Sequence, residues 1–225
     1  RWASNLAVLL PERDFRDRSV AEFTFAHTAA PEDIVFSHFG PNPEYVGLSI
    51  ADVARITEQS PEDTLLELAQ AADAFGRESG ERGAGIIAKG MDESDVAELM
   101  LWDYTNICSD GGHGPGHPRG YGAFPRVIAR FVRELGILDL STAVHKMTAL
   151  AADSAGLGKR GRLEGGYFAD LVLFDPETIE DRSTMLDSTA LSTGVSKVWV
   201  NGVLAFDDGQ PTMVYPGRIV VRDEQ

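Results

Sequence analysis

Between residues 106 and 126 the chain reads NICSDGGHGPGHPRGYGAFPR. Asp110 can take up and return a proton. His113 and His117 can act as bases or ligands. Arg119 presents the planar fork that grips a carboxylate through two parallel hydrogen bonds. Cys108 adds a thiol. The glycines between them allow close backbone approach to a ligand, or positive φ angles. HGPGH has the spacing of a helical zinc pair, but Gly and Pro forbid the helix and the intervening Glu is missing. These histidines alone therefore do not make a catalytic zinc site, which wants three protein ligands in fixed geometry. Cys108 as nucleophile, with His113 or His117 as base, would make a thiol hydrolase. The plainer expectation for Cys108 is a small buried residue inside a strand. Asp110 just past a strand is where an alternating β/α fold places a reactive group. A loop in which Asp110 turns the chain and the glycines supply slack would use the same residues. His27 and His38 have no ligand-type spacing, and His145 falls on a helical pattern as a surface or packed residue.

The elements that must position Asp110 lie on either side of it. YTNIC, residues 104–108, has the composition of a strand. After the loop, Phe124, Val127, Ile128, Phe131, Val132 and Leu135 recur at the spacing of one helix face, with Arg126, Arg130 and Arg133 opposite. STAVHKMTALAADSAGL reads as a second helix with Ser141 as its cap. Upstream, DIVFSHF (33–39) reads as a buried strand, and Ser49 caps a helix carrying Ile50, Val53 and Ala54. Ser60, Pro61 and Asp63 open a longer helix that Gly76 can end; Leu65, Leu66, Leu68, Ala69, Ala72 and Phe75 form its apolar face. AGIIAKG (84–90) is a short strand, and Asp92 caps ESDVAELML. From about residue 160 the pattern changes to strands: ADLVLFD, VSKVWV, VLAF and a closing PGRIVVR. Asn201-Gly202 signals a tight hairpin. The first two-thirds thus alternate strand and helix, and the last third is antiparallel β.

Composition narrows the partners. Asp plus Glu number 35 against 20 Lys plus Arg, a net charge of -15 over 225 residues. Such a chain repels phosphate backbones, which argues against nucleic acid. Cys108 is the only cysteine, so no intrachain disulfide forms and a reducing, cytoplasmic compartment is expected. No apolar run is long enough to span a bilayer. The opening RWASNLAVLLPERDF has no signal-peptide layout and no starting Met, and reads as the interior of a longer protein.

SDGGHGPGHPRGYGAFPRVIARFVRE resembles the final barrel segment of the N-acyl-D-amino-acid deacylases, or D-aminoacylases, of the metal-dependent amidohydrolase superfamily. LSTAVHKMTALAADSAGLGKRGRLEGGYFADLVLFD is similar to that family's continuation out of the barrel, and VWVNGVLAFDDGQPTMVYPGR to its closing strands. The likeness runs from about residue 30 to the end. It implies an α/β fold: the C-terminal part of a (β/α)8, TIM-type barrel over residues 1–158, then part of a small β-sandwich domain over 159–225. It implies zinc, with Asp110 at the metal centre passing a proton from metal-bound water to the leaving amine. It further implies that Arg119 holds the substrate carboxylate, with Ser37 and His117 as candidate substrate contacts. The substrate would be an N-acyl-D-amino acid, cleaved to a carboxylate and a free D-amino acid. The chain has no His-x-His, and Cys108 does not match the family's metal-ligating cysteine. The remaining ligands are therefore expected outside this chain, which alone would be inactive, hold no metal, and associate with a missing N-terminal half or with itself. The rivals are a dihydroorotase-like cyclic amide hydrolase, which HPR followed by YGAFPR argues against, and a non-catalytic chain completed by a separate N-terminal half.

Overall fold

The structure is a computed structural model and describes residues 18–112 and 116–222. The apolar opening stretch and His113 lie outside the described residues. The chain divides into two compact units, Arg1–Met91 with Pro115–His117, and Asp92–Gly114 with Pro118–Gln225.

The first unit contains α1 (Arg18–His27), β1 (Ile34–Phe39), α2 (Ile50–Thr57), α3 (Pro61–Ser79) and β2 (Ala84–Ala88). Ser49 opens α2 through a reciprocal capping box. Its hydroxyl accepts from the Asp52 amide at 3.0 Å, and the Asp52 carboxylate accepts from the Ser49 amide at 2.9 Å. Ser60 caps α3, its hydroxyl accepting from the Asp63 amide at 3.2 Å, with Pro61 at the first helical position. α3 runs past Gly76 and stops at Gly80, whose φ of 73° lies in the left-handed region that glycine enters freely. Phe36 and Phe39 from β1 meet Ile50, Val53, Leu65, Leu66 and Ala72 in the core. β1 and β2 pair antiparallel, Ile34 opposite Ala88 and Phe39 opposite Ala84. Strands of a β/α barrel pair in parallel across one helix. Here two helices, α2 and α3, separate the strands, so the chain turns back once more before β2 begins.

The second unit begins with α4 (Glu93–Leu101), capped by Asp92, which accepts from the Ser94 amide at 2.8 Å. Residues 104–108 do not form the strand that YTNIC suggests. The chain turns at 102–104 and then runs without a ladder partner, because a strand exists only where a neighbour supplies its hydrogen bonds. α5 (Arg119–Arg126) follows the loop and passes into a π-helical stretch, Val127–Glu134. Pro125 has no N–H for the Tyr121 carbonyl, and the Ser192 hydroxyl donates to that carbonyl instead, at 3.1 Å. In the wider turns the Leu135 amide reaches back to the Arg130 carbonyl at 2.9 Å. Val127, Ile128, Ala129 and Phe131 are buried. Phe124 and Leu135, expected on the same face, are exposed because the π-helical stretch breaks the 3.6-residue period. α6 (Leu140–Met147) and α7 (Ala149–Ala155) break apart at Thr148. The cap of α6 is Asp139 rather than Ser141: its carboxylate accepts from the Thr142 amide at 2.8 Å.

β3 (Leu171–Phe174), β4 (Val195–Val200), β5 (Val203–Asp207) and β6 (Gln210–Pro211) form one antiparallel sheet in that order. Asn201 and Gly202, with φ of 50° and 81°, make the β4–β5 hairpin. Asn201 is also a knot. It accepts from the Arg160 guanidinium and donates to the Pro216 carbonyl, both at 2.8 Å, while its own amide donates to Asp170. Residues 216–222 are not a fifth strand. Side chains tie this tail down, and the Arg218 guanidinium lies 4.3 Å from the centre of the Phe168 ring, as does that of Arg160.

Candidate active site

The second unit brings Asp110 and Arg119 together. Arg119 Nη2 lies 2.6 Å from Asp110 Oδ2, and the side chains are 45% and 75% exposed, so both remain reachable from solvent. Asp110 has a φ of 46°, a left-handed conformation that Asp enters more readily than most residues. The Ser109 hydroxyl, accepting from the Gly111 amide at 3.2 Å, steadies the same turn. Gly111 then lies directly against Gly120 in the first turn of α5. A Cβ on Gly111 would stand 2.6 Å from the Gly120 Cα. Two glycines in backbone contact are thus what lets the loop fold back far enough for carboxylate and guanidinium to meet.

α5 is anchored from its far side. A Cβ on Gly122 would stand 2.4 Å from Ser183 Oγ, so the helix seats flush on the segment that carries this serine. The Ser183 hydroxyl donates to the Pro118 carbonyl at 2.9 Å, and Arg126 donates to Asp181 at 2.6 Å. With the Ser192 bond to Tyr121, these contacts set the axis on which Arg119 stands. Arg130 forks onto Glu93 at 2.8 and 3.0 Å and reaches Glu134 at 2.8 Å. The hydrogen bonds from Arg130 hold the Glu93 carboxyl below the usual carboxylate range, and those to Glu93 and then Glu134 raise the Arg130 guanidinium.

Ser183 and Ser192 escape sequence reasoning because the segment containing them has no periodicity. The one signal pointing to them is Pro125, which leaves a helical carbonyl in need of a donor. Cys108 is exposed, not buried as expected. In an extended run neighbouring side chains face opposite ways, and Ile107, 8% exposed, takes the inward place. Ser37 and His117 belong to the first unit. Ser37 sits at the register shift of β1, between Phe36 and His38, a bulge that redirects its side chain. Glycine at 85 leaves room for it, since a Cβ there would stand 2.9 Å from the Ser37 hydroxyl.

Among the described residues, no three His, Cys, Asp or Glu side chains come together as a metal-holding group. The carboxylate of Asp110 is a suitable oxygen ligand, but in this arrangement it faces a guanidinium. The described residues therefore do not build a zinc centre.

An α/β chain that sets a carboxylate against a guanidinium across a glycine-rich loop has a match among known families. Residues 109–206 fit the model described as "Amidohydrolase family". The D-aminoacylase of Alcaligenes xylosoxydans is 39% identical over 185 residues, 81% of this chain and 35% of the relative. The N-acyl-D-glutamate deacylase of the same organism is 38% identical over 194 residues, 85% of this chain and 37% of the relative. Among solved structures, that of a D-aminoacylase said to define a novel subset of amidohydrolases superposes with a TM-score of 0.73 at 32% identity, covering 91% of this chain and 45% of that one. The N-acyl-D-glutamate deacylase of Bordetella bronchiseptica, complexed with zinc and a phosphonate mimic of the tetrahedral intermediate, gives 0.69 at 34% identity, covering 84% and 38%. The chain spans 35% to 37% of the length of these curated relatives.

Proposed function

We propose that this chain supplies the Asp110–Arg119 part of the active site of an amidohydrolase that cleaves N-acyl-D-amino acids to a carboxylate and a free D-amino acid. The observation that carries the reading is the 2.6 Å pairing of Asp110 with Arg119. The substrate has a carboxylate one carbon away from its amide nitrogen. A guanidinium beside a carboxylate base matches both features at once, anion recognition and proton transfer. In the resting site each side chain satisfies the other. The incoming substrate carboxylate takes over Arg119 and releases Asp110. Asp110 then accepts the proton of the water that adds to the amide carbon, and returns it to nitrogen as the C–N bond breaks.

The same reading gives Ser37 and His117 contacts with the substrate. It assigns the helical part to a (β/α)8 barrel over 1–158, the four-stranded sheet to a β-sandwich over 159–225, and the protein to the cytoplasm. Zinc, the metal complexed by the Bordetella relative, is the proposed cofactor. Asp110 is the described residue suited to touch it, and its other ligands would come from outside the described residues. Leu101, Trp102 and Tyr104 stand exposed together at 56%, 61% and 76%; further polypeptide, an N-terminal half or a second copy, would cover them.

The test is made in a catalytically active enzyme carrying these residues. Asp110→Asn keeps the shape and removes the proton acceptor, so kcat falls by about 10²–10⁴-fold. Near-normal turnover by Asp110→Asn would return the loop to the role of a connector and end this assignment.

A further inference from the structure

Lys146 stands in the last turn of α6 and is 3% exposed. Lysine is almost never so buried unless it is paired, and this ammonium is met by backbone carbonyls. Lys146 Nζ donates to the carbonyl of Trp102 at 2.6 Å and to that of Thr105 at 3.2 Å. Trp102 is the extended residue just past the end of α4, so its carbonyl has no partner within the helix and is open to the ammonium. The main chain of the same lysine is engaged as well: its carbonyl accepts from the Ile107 amide at 3.1 Å. Ile107 itself is set into the cluster with Val127, Leu138 and Ala143. One residue on α6 thus binds the run 102–107 at three points, where a neighbouring strand would ordinarily bind it through a ladder. Three residues further on is Asp110. Arg119 depends on other groups, the Ser183, Ser192 and Asp181 contacts that seat α5.

We propose that Lys146 is the positioning residue for Asp110: its buried ammonium and its own carbonyl fix the unladdered segment that delivers the aspartate, independently of the contacts that fix Arg119. The proposal rests on Asp110 being the proton-transfer group of the preceding section. Lys146 touches no reacting atom and acts only through the backbone of 102–107.

The first measurement is amide hydrogen exchange on this chain. Lys146→Met keeps the apolar stem and removes the donors. Exchange at Thr105 and Ile107 should rise about tenfold or more, while the β4–β5 hairpin stays as it was. Unchanged protection of Ile107, or a rise spread evenly over the second unit, would overturn the proposal. Should Lys146→Met not fold, Lys146→Arg serves in its place. Protection at Ile107 kept by the substitute cation supports a role for the charge, and its loss with the rest of the unit intact counts against it. The second measurement is made in an active enzyme carrying these residues. Lys146→Met should lower kcat by about 10- to 100-fold through misplacement of Asp110, with KM for the carboxylate substrate held within about twofold because Arg119 is not disturbed. KM rising in step with the fall in kcat overturns the separation of the two supports. Hydrogen exchange reads the positioning and Asp110→Asn reads the chemistry, so failure of one is not mistaken for failure of the other.

Discussion

Arg119 is half-exposed and carries a guanidinium whose carboxylate partner, Asp110, is still more exposed. A solvated pair of this kind stabilises a fold by about 1 kcal/mol at most, so the proposed function makes its role substrate recognition rather than support of the fold. Arg119→Ala should therefore leave the melting temperature of the chain nearly unchanged. In an active enzyme it should weaken use of an N-acyl-D-amino acid by about 2–5 kcal/mol, the loss expected when one partner of a desolvated charge pair is removed. Replacing the substrate carboxylate by a neutral amide should shrink that loss. Equal impairment of carboxylate and amide substrates would leave Arg119 a role in loop shape only. Asp110, Arg119 and the glycines around them were legible in the sequence because their chemistry is carried by residue type over ten consecutive positions. Lys146 was not. Its partners lie 41 and 44 residues away, and a lone lysine on a helical pattern gives no sign that it will be buried.

The helices show the same division between local and distant causes. Ser49, Ser60 and Asp92 act on amides two or three residues ahead, so the sequence states them outright. The strand expected at 104–108 depended on a partner that sequence alone cannot supply, and the π-helical stretch depended on a proline whose abandoned carbonyl is met by Ser192, 71 residues on. The caps also predict an acid response. Hydrogen bonds from the Ser49 amide and hydroxyl hold the Asp52 carboxyl below its ordinary value of 3.8. Those from the Ser94 hydroxyl and amide do so for Asp92, and those from the Thr142 amide and hydroxyl for Asp139. With folded values below unfolded ones, the stabilisation is complete above the unfolded value and is lost as pH falls through the folded ones. Helical circular dichroism should stay flat down to about pH 5 and decline only below about pH 4. A decline already under way between neutrality and pH 5 would assign the loss to other groups.

The molecule as a whole carries the candidate carboxylate and guanidinium within one compact unit, yet no metal-holding group of three among its described residues. The chain purified with zinc in excess and then dialysed should retain well below stoichiometric metal by elemental analysis. Retention of about one tightly held zinc per chain, the content of a built catalytic site, would show that ligands assemble in a way the described residues do not. The last third behaves differently from the rest. Its strands and hairpin follow from alternation and from Asn201-Gly202, while its closing tail, whose PGRIVVR reads as one more strand, is attached instead by side chains, Asn201 to Pro216 and Arg218 to Phe168, a support that the local pattern does not show.

Asn201 has a chemical lifetime as well as a structural place. An asparagine followed by glycine ages by attack of the glycine nitrogen on the side-chain amide, with loss of ammonia and hydrolysis to aspartate or isoaspartate. In the folded hairpin the Gly202 nitrogen is committed to the Ala169 carbonyl at 2.9 Å, and the side-chain amide is held between Arg160 and Pro216. Ageing should thus be slow in the native chain and fast in urea, as peptide mass spectrometry would read; equal rates in both would show that the knot gives no protection. Once it occurs, the donor to Pro216 is gone and the tail loses an anchor, so each opening of this sheet leaves a permanent mark on the molecules that were open.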